Sequence, residues 1–244
     1  MEQWGVTDSG KVRQHNQDVF KILYDEDKGI AVLVVCDGMG GARAGNVAST
    51  IAANEFMHHI GRYIDNTVSI SNIAKRMSDA VIAANNAVYK KSVREDEYAG
   101  MGTTLAAAIS TDEGEVVVNI GDSRAYHVTT SKITQITRDH SVIEDMINRG
   151  DITRAEARKH PSKHLITRAL GTSSGEKPDV FTLNLDSGDH ILLCTDGLSN
   201  IVLDSEILFE LQRGLSVREC CENLVEMALS RGAPDNVTAV IFRK

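Results

Sequence analysis

Two apolar patterns organise the chain. IAVLVVC (30–36), LAAAIS (105–110), EVVVNI (115–120), HILLC (190–194) and NVTAVIF (236–242) are short runs rich in Val and Ile, bounded by Gly or Asp, and they predict strands. GVTDSG near the start and AYHVTTSKITQIT (125–137) predict edge or hairpin strands; in the second, Ile133 and Ile136 punctuate polar residues. Between these runs the period changes. Val47, Ile51, Phe56 and Ile60 fall at helical spacing within 45–60. Ile73, Met77, Ala80, Ala84, Ala87 and Val88 form one stripe within 71–92, with Ser71 as the expected N-cap. Ser216 and Glu219 make a capping-box pattern, and the helix they open runs through Leu224 and Met227 toward Gly232. Shorter boxes, Ser141 with Glu144 and Thr153 with Glu156, mark two short helices inside a polar segment, 138–165, too charged for a core and expected to be a mobile surface flap. Strictly alternating βαβ units are missing. The pattern therefore predicts an α+β fold, antiparallel sheet covered by helices.

Composition narrows this further. With 244 residues and 42% hydrophobic positions the chain suits one domain, 1–244, with a large core. A formal charge of −8 disfavours nucleic acid as the main partner, because phosphate backbones are held by clustered Lys and Arg. A single phosphorylated substrate needs only a local positive site and is not excluded. The N-terminal MEQWGVTDSGKVRQ lacks the apolar region of a signal peptide, and no apolar stretch approaches the ~18 residues of a membrane span. Cys36, Cys194, Cys220 and Cys221 show no CxxC pattern and read as small buried thiols in a reducing cytoplasm. No heptad or apolar surface stripe stands out, and a monomer is expected.

The chemistry is concentrated where strands end. VVCDGMGG (34–41) and LLCTDGLSN (192–200) share a design of apolar strand, Asp-Gly, small polar turn, helix. Asp122 in NIGDSRAY, Asp235 in APDNVTAV and Asp18 in RQHNQD lie at comparable places. One acidic strand end is an ordinary turn. Several suggest a shared rim. Two carboxylates about 4 Å apart repel by roughly 4 kcal/mol at an effective dielectric of 20, so protons or cations must neutralise them. With carboxylates and the Gly38 carbonyl as donors, and no Cys/His spacing for zinc, the cation would be Mg²⁺ or Mn²⁺. Two such ions can generate a nucleophile from water and clamp a phosphoryl group. Arg13, five residues before Asp18, offers the planar fork of donors that a phosphoester needs. The rival reading of Gly38, Gly40 and Gly45 as a dinucleotide loop fails in context: Asp37 would face a pyrophosphate, and the next element reads as a helix rather than a strand.

Together, TDSGKVRQHNQD (7–18), VVCDGMGG with AGNVAS (34–41, 44–49), GMGTT (100–104), NIGDSRAY (119–126), RDHS (138–141), HPSKHLITRALG (160–171), LLCTDGLSN (192–200) and APDNVTAV (233–240) resemble the metal-dependent serine/threonine protein phosphatases of the PPM (type 2C) family in their compact bacterial form. The motifs occur in family order and span nearly the whole chain. The resemblance implies two antiparallel sheets in a sandwich flanked by helix pairs, with two to three Mn²⁺ or Mg²⁺ at one end. It implies that Asp37 bridges two metals, that Asp196 and Asp235 complete the shell of the first, and that the Gly38 carbonyl and, through water, Asp18 serve the second. Asp122 and Asp196 would form a weaker third site, Arg13 would hold the substrate phosphate, Asn236 would support its neighbours, and the flap would touch substrate. The implied reaction is hydrolysis of phosphoserine or phosphothreonine in proteins by a metal-activated water, opposing a bacterial serine/threonine kinase.

Departures from the family pattern affect the details. Gln17 replaces a frequent Glu, and Met39 stands where animal members carry a histidine proposed as general acid. The proton donor is then a metal-bound water or His160. His164 replaces a frequent Asn. Thr103 and Thr104 read as turn residues. A non-catalytic phosphatase-like binding module is the alternative; such modules usually lose ligands, whereas Asp18, Asp37, Asp196 and Asp235 are all present.

Overall fold

In a computed structural model of the protein, residues 1–61, 68–157, 160–162 and 164–244 are described. The elements run β1 (Glu2–Asp8), β2 (Asp18–Asp25), β3 (Ile30–Met39), α1 (Gly41–Gly61), α2 (Ile70–Arg94), a short 3₁₀ turn (Asp96–Tyr98), β4 (Gly102–Thr103), β5 (Leu105–Thr111), β6 (Gly114–Ile120), β7 (Arg124–Val128), β8 (Ile133–Gln135), α3 (Val142–Arg149), α4 (Arg154–Ala157), β9 (Asp179–Leu183), β10 (His190–Cys194), α5 (Asp196–Ser199), α6 (Asp204–Leu211), α7 (Val217–Ser230) and β11 (Val237–Arg243). One sheet has the order β1-β11-β10-β7-β8. The other has the order β2-β3-β5-β6-β9, with β4 paired to β3. The pairings are antiparallel.

The two sheets stack face to face, and helices cover both outer faces. This explains why the central strands are apolar at most positions rather than only at alternate ones: both faces are buried. In β3, Ile30, Val32, Val34 and Cys36 pack under α1 and α2 with Ala48, Ala52, Phe56 and Met77. Ala31, Leu33 and Val35 point the other way, into the space between the sheets, where they meet Ile191, Leu193, Val240 and Phe242. Leu192, Cys194, Ala239 and Ile241 face the second helical layer. There α7 buries Val217, Cys220, Cys221, Leu224, Val225 and Ala228, one stripe at helical spacing. Each such aliphatic side chain taken from water contributes about 1.5–3 kcal/mol before entropy is counted. The α+β sandwich with helical flanks matches the expected class.

Several boundaries differ from the sequence reading. The pattern ends the 30–36 strand at Asp37, yet β3 continues to Met39, because Asp37 pairs with Asp18 and Gly38 and Met39 pair with Thr103 and Gly102. The turn falls instead at Gly40 and Gly41, with φ of 125° and 83°, a region that favours glycine. Helix α2 is capped at Ser69 rather than Ser71, which lies one residue inside the helix and shares a 3.2 Å contact with the Ser69 hydroxyl. Strands β2 and β9 are not predicted by the pattern: both sit at sheet edges, largely half-buried, so their sequences carry charge among the apolar residues. The Ser216–Glu219 box forms in both directions. At Ser141 only half forms: Glu144 N–H donates to Ser141 Oγ at 3.1 Å, while the Glu144 carboxylate pairs with Arg154. Within the 138–165 segment Ile143 and Glu144 are buried; residues 158, 159 and 163 lie outside the described set.

Candidate active site

Antiparallel register puts the acids together. Asp18 opens β2 and stands directly across from Asp37 on β3. In the other sheet Asp196 follows β10, and Asp235 precedes β11, its neighbour. Hydroxyls tie the sheets at this end. Thr195 Oγ1 and Thr238 Oγ1 donate to Asp18 Oδ2 at 2.8 and 2.7 Å. A cavity of about 650 Å³ opens above, and Arg13, Asp37, Gly38, Asp122, Asp196 and Asp235 all line it. Asp18 lies beneath, 5% exposed. His160 is not among the lining residues, and its Nδ1 accepts from the Ser162 N–H at 3.2 Å. His164 is in the wall instead, with Nδ1 3.7 Å from Asp196 Oδ2.

The backbone of Asp37 is held from β4 and the residue after it. Thr103 Oγ1 and Thr104 N–H donate to the Asp37 carbonyl at 2.8 and 2.9 Å, and Asp37 N–H donates to Thr104 Oγ1 at 2.9 Å. Thr104 Oγ1 shares a further 2.6 Å hydrogen bond with Ser123 Oγ. The sequence offers these threonines only as turn residues; their role depends on contacts between elements some 66 positions apart. Gly38 has a steric reason to be glycine: a Cβ there would stand 2.1 Å from the Gly45 carbonyl oxygen. Asn236 supports its surroundings as expected. Its Oδ1 accepts from Gln17 N–H at 2.8 Å, and its Nδ2 donates to the carbonyls of Ser9 and His15 at 2.9 and 3.0 Å. This pins the 9–17 loop that carries Arg13. Arg13 Nη2 donates to Asp235 Oδ2 at 2.8 Å, and its guanidinium feels the charges of Asp37 and Asp196 as well.

Crowding has an electrostatic signature. Burial, then the charges of Asp18, Asp196, Asp122 and Asp235, holds Asp37 well above the ordinary carboxylate range. Burial, then Asp196 and Asp139, does the same to Asp122. Asp18 is pushed up to about 7, chiefly by burial, against the opposing hydrogen bonds of Thr238 and Thr195. Asp18 Oδ1 and Asp196 Oδ1 are buried without a hydrogen-bond partner among the described residues. Orphaned, negatively charged oxygens that repel one another fit hard divalent cations. Among the described residues no three Asp, Glu, His or Cys side chains close around one point, so side chains alone would not fill the shell of an ion held here.

The profile of the protein phosphatase 2C family matches residues 9–232. The chain belongs to that family. This phosphatase is 32% identical over 238 residues to the serine/threonine phosphatase stp of Listeria innocua, covering 98% of this chain and 94% of the relative. Its fold is similar to that of the serine/threonine phosphatase Stp1 from Staphylococcus aureus, with TM-score 0.90, 34% identity, and coverage of 100% and 94% of the two chains. It is also similar to the catalytic domain of the serine threonine protein phosphatase PstP in complex with 2 manganese ions, with TM-score 0.84, 35% identity, and coverage of 98% and 96%. The cysteines of the phosphatase are free and buried. Among its described residues no helix is long and apolar enough to cross a membrane.

Proposed function

We propose that this protein phosphatase hydrolyses phosphoserine and phosphothreonine in cytoplasmic proteins at the acidic end of its sandwich, as a monomer opposing a serine/threonine kinase. The convergence of Asp18, Asp37, Asp122, Asp196 and Asp235 beneath a cavity whose mouth carries Arg13 is the observation that supports the reading. Asp37, Asp196, Asp235, the Gly38 carbonyl and, more remotely, Asp18 would hold two divalent ions, with Asp122 and Asp196 available to a third. When bound, Mn²⁺ or Mg²⁺ lowers the pKa of water toward neutrality and draws charge from phosphoryl oxygens.

The chain's own groups do the rest. Arg13 is exposed enough to leave Asp235 and fork onto the phosphate of a substrate. Thr103 and Thr104 keep the Asp37 carboxylate aimed into the cavity. The 138–165 segment, whose His164 reaches the wall, serves as the flap against which the protein part of the substrate lies. His164 lines the cavity and His160 does not, which favours His164 as the histidine nearer to a bound phosphate. No side-chain nucleophile is required: the cysteines are buried, and burial pushes the Cys36 thiol far up and Cys194 up to about 12, leaving no thiolate. The ligand set argues against a binding-only module. Purified protein assayed on an aryl phosphate and on phosphothreonine peptides should be active with Mn²⁺ and silent in chelator. Turnover that persists in chelator would overturn the metal reading.

A further inference from the structure

We propose that His140 is a positioning residue that locks the turn bearing Asp122 to Thr167, just beyond the 138–165 segment. The inference rests on the reading of Asp122 as an ion-holding carboxylate. Gly121 and His140 meet along complementary edges. The Gly121 carbonyl accepts from His140 N–H at 3.0 Å, and Gly121 N–H donates to His140 Nδ1 at 3.1 Å. Both backbone polar groups of the residue before Asp122 are thus engaged by one histidine. That carbonyl also accepts from Asn119 Nδ2 at 3.2 Å. Gly121 has φ 101°, and a Cβ there would lie 2.6 Å from Thr104 Cγ2, so this turn requires glycine. On its other side the His140 carbonyl accepts from Thr167 N–H at 2.8 Å. Thr167 follows Ile166, which bridges to Ser141 and lines the cavity together with His164. His140 therefore links an acid lining the cavity to the wall beside it, next to the Ser141–Ile166 bridge and the Val142 N–H bond to the Leu165 carbonyl.

The ring is built for this contact. Nδ1 must present a lone pair to Gly121 N–H, so the proton sits on Nε2, which donates to Asp179 Oδ2 at 3.2 Å. Arg168 Nη1 also stands 2.9 Å from Nε2, to which it cannot donate in this tautomer, and bonds Asp179 Oδ1 at 3.1 Å instead, while Arg168 Nε holds Glu176 at 3.3 Å. Burial and then Arg168 lower the His140 pKa, outweighing Asp179 and Glu176, so the neutral ring that Gly121 requires is the favoured form. Outer groups that orient ion-holding carboxylates are worth about 10–100-fold in metal affinity.

The test uses the full chain with His140 changed to Ala, Asn or Gln, fold checked by circular dichroism. Asn places an amide oxygen near the position of Nδ1, whereas Gln carries it past. Mn²⁺ uptake is followed by calorimetry, and the Mn²⁺ demand, KM and kcat are measured on an aryl phosphate. The weakest-bound ion should lose affinity about tenfold or more in His140→Ala and His140→Gln. His140→Asn should recover most of that loss and keep a near-normal KM. If the Ala variant does not fold, the contrast between Asn and Gln decides. Folded variants that all take up Mn²⁺ as the parent does, or an Asn variant no better than Gln, would refute the assignment. Asp122→Ala runs in parallel. If it leaves Mn²⁺ uptake unchanged, the reading of Asp122 fails and the proposal falls with it; if it weakens uptake while the His140 variants do not, only the His140 proposal falls.

Discussion

Thr104→Val tests whether the hydroxyl contacts behind Asp37 hold the site in place. The substitution keeps the shape and the methyl group and removes only Oγ1. In the parent that oxygen accepts from Asp37 N–H at 2.9 Å and shares a 2.6 Å bond with Ser123 Oγ, in a place where Thr104 is 3% exposed and Ser123 fully buried. Water cannot replace it. The stranded N–H costs about 1–3 kcal/mol and the lost partner of Ser123 about 1 kcal/mol, together about 2–4 kcal/mol. For a chain of this size each kcal/mol moves Tm by about 2–4 °C, so Thr104→Val should melt roughly 4–16 °C lower. Thr104→Ser is the control: it keeps the oxygen and loses one methyl, at about 1 kcal/mol. Melting is followed by circular dichroism in chelator, so that ion binding adds nothing to either state. If Thr104→Val is as stable as Thr104→Ser, the hydroxyl network does not support Asp37.

Asp37→Asn and Asp196→Ala should each remove detectable turnover of phosphothreonine peptide in saturating Mn²⁺ while leaving the fold intact; a near-parental rate in either variant would strike it from the site. Arg13→Ala should raise KM for a phosphopeptide far more than it lowers kcat, and it should barely change Tm, because an ion pair this exposed is worth at most about 1 kcal/mol. The raised pKa values of Asp37 and Asp18 carry a sign. These groups bind protons more tightly folded than unfolded, so in chelator they contribute stability that is fully present below the ordinary Asp value of 3.8 and lost as pH rises through about 7 for Asp18. Melting profiles between pH 4 and about 8 should therefore fall more steeply for the parent than for Asp18→Asn in chelator, and Mn²⁺ should flatten the parental slope; identical slopes would show that the crowding is not felt.

The hydrophobic pattern alone determined the class of fold. Runs such as 30–36 and 191–194 are apolar at every position because each strand is covered on both faces, and α7 announced itself by its capping box and its stripe. The acids at 18, 37, 122, 196 and 235 were legible as chemistry because Asp at successive strand ends is a local signal. Their meeting was not local. Asp18 faces Asp37 only through the β2–β3 register, and the sequence left β2 unassigned because an edge strand buries too little to show a clean period. Thr103, Thr104, Asn236 and His140 act through hydrogen bonds to residues tens to hundreds of positions away. His164 rather than His160 reaches the cavity for the same reason: which side of a loop faces an acidic floor is settled by what the loop packs against. Local propensity is written in neighbouring residues, whereas convergence is a property of paired strands and stacked sheets, and it exists only once they are assembled.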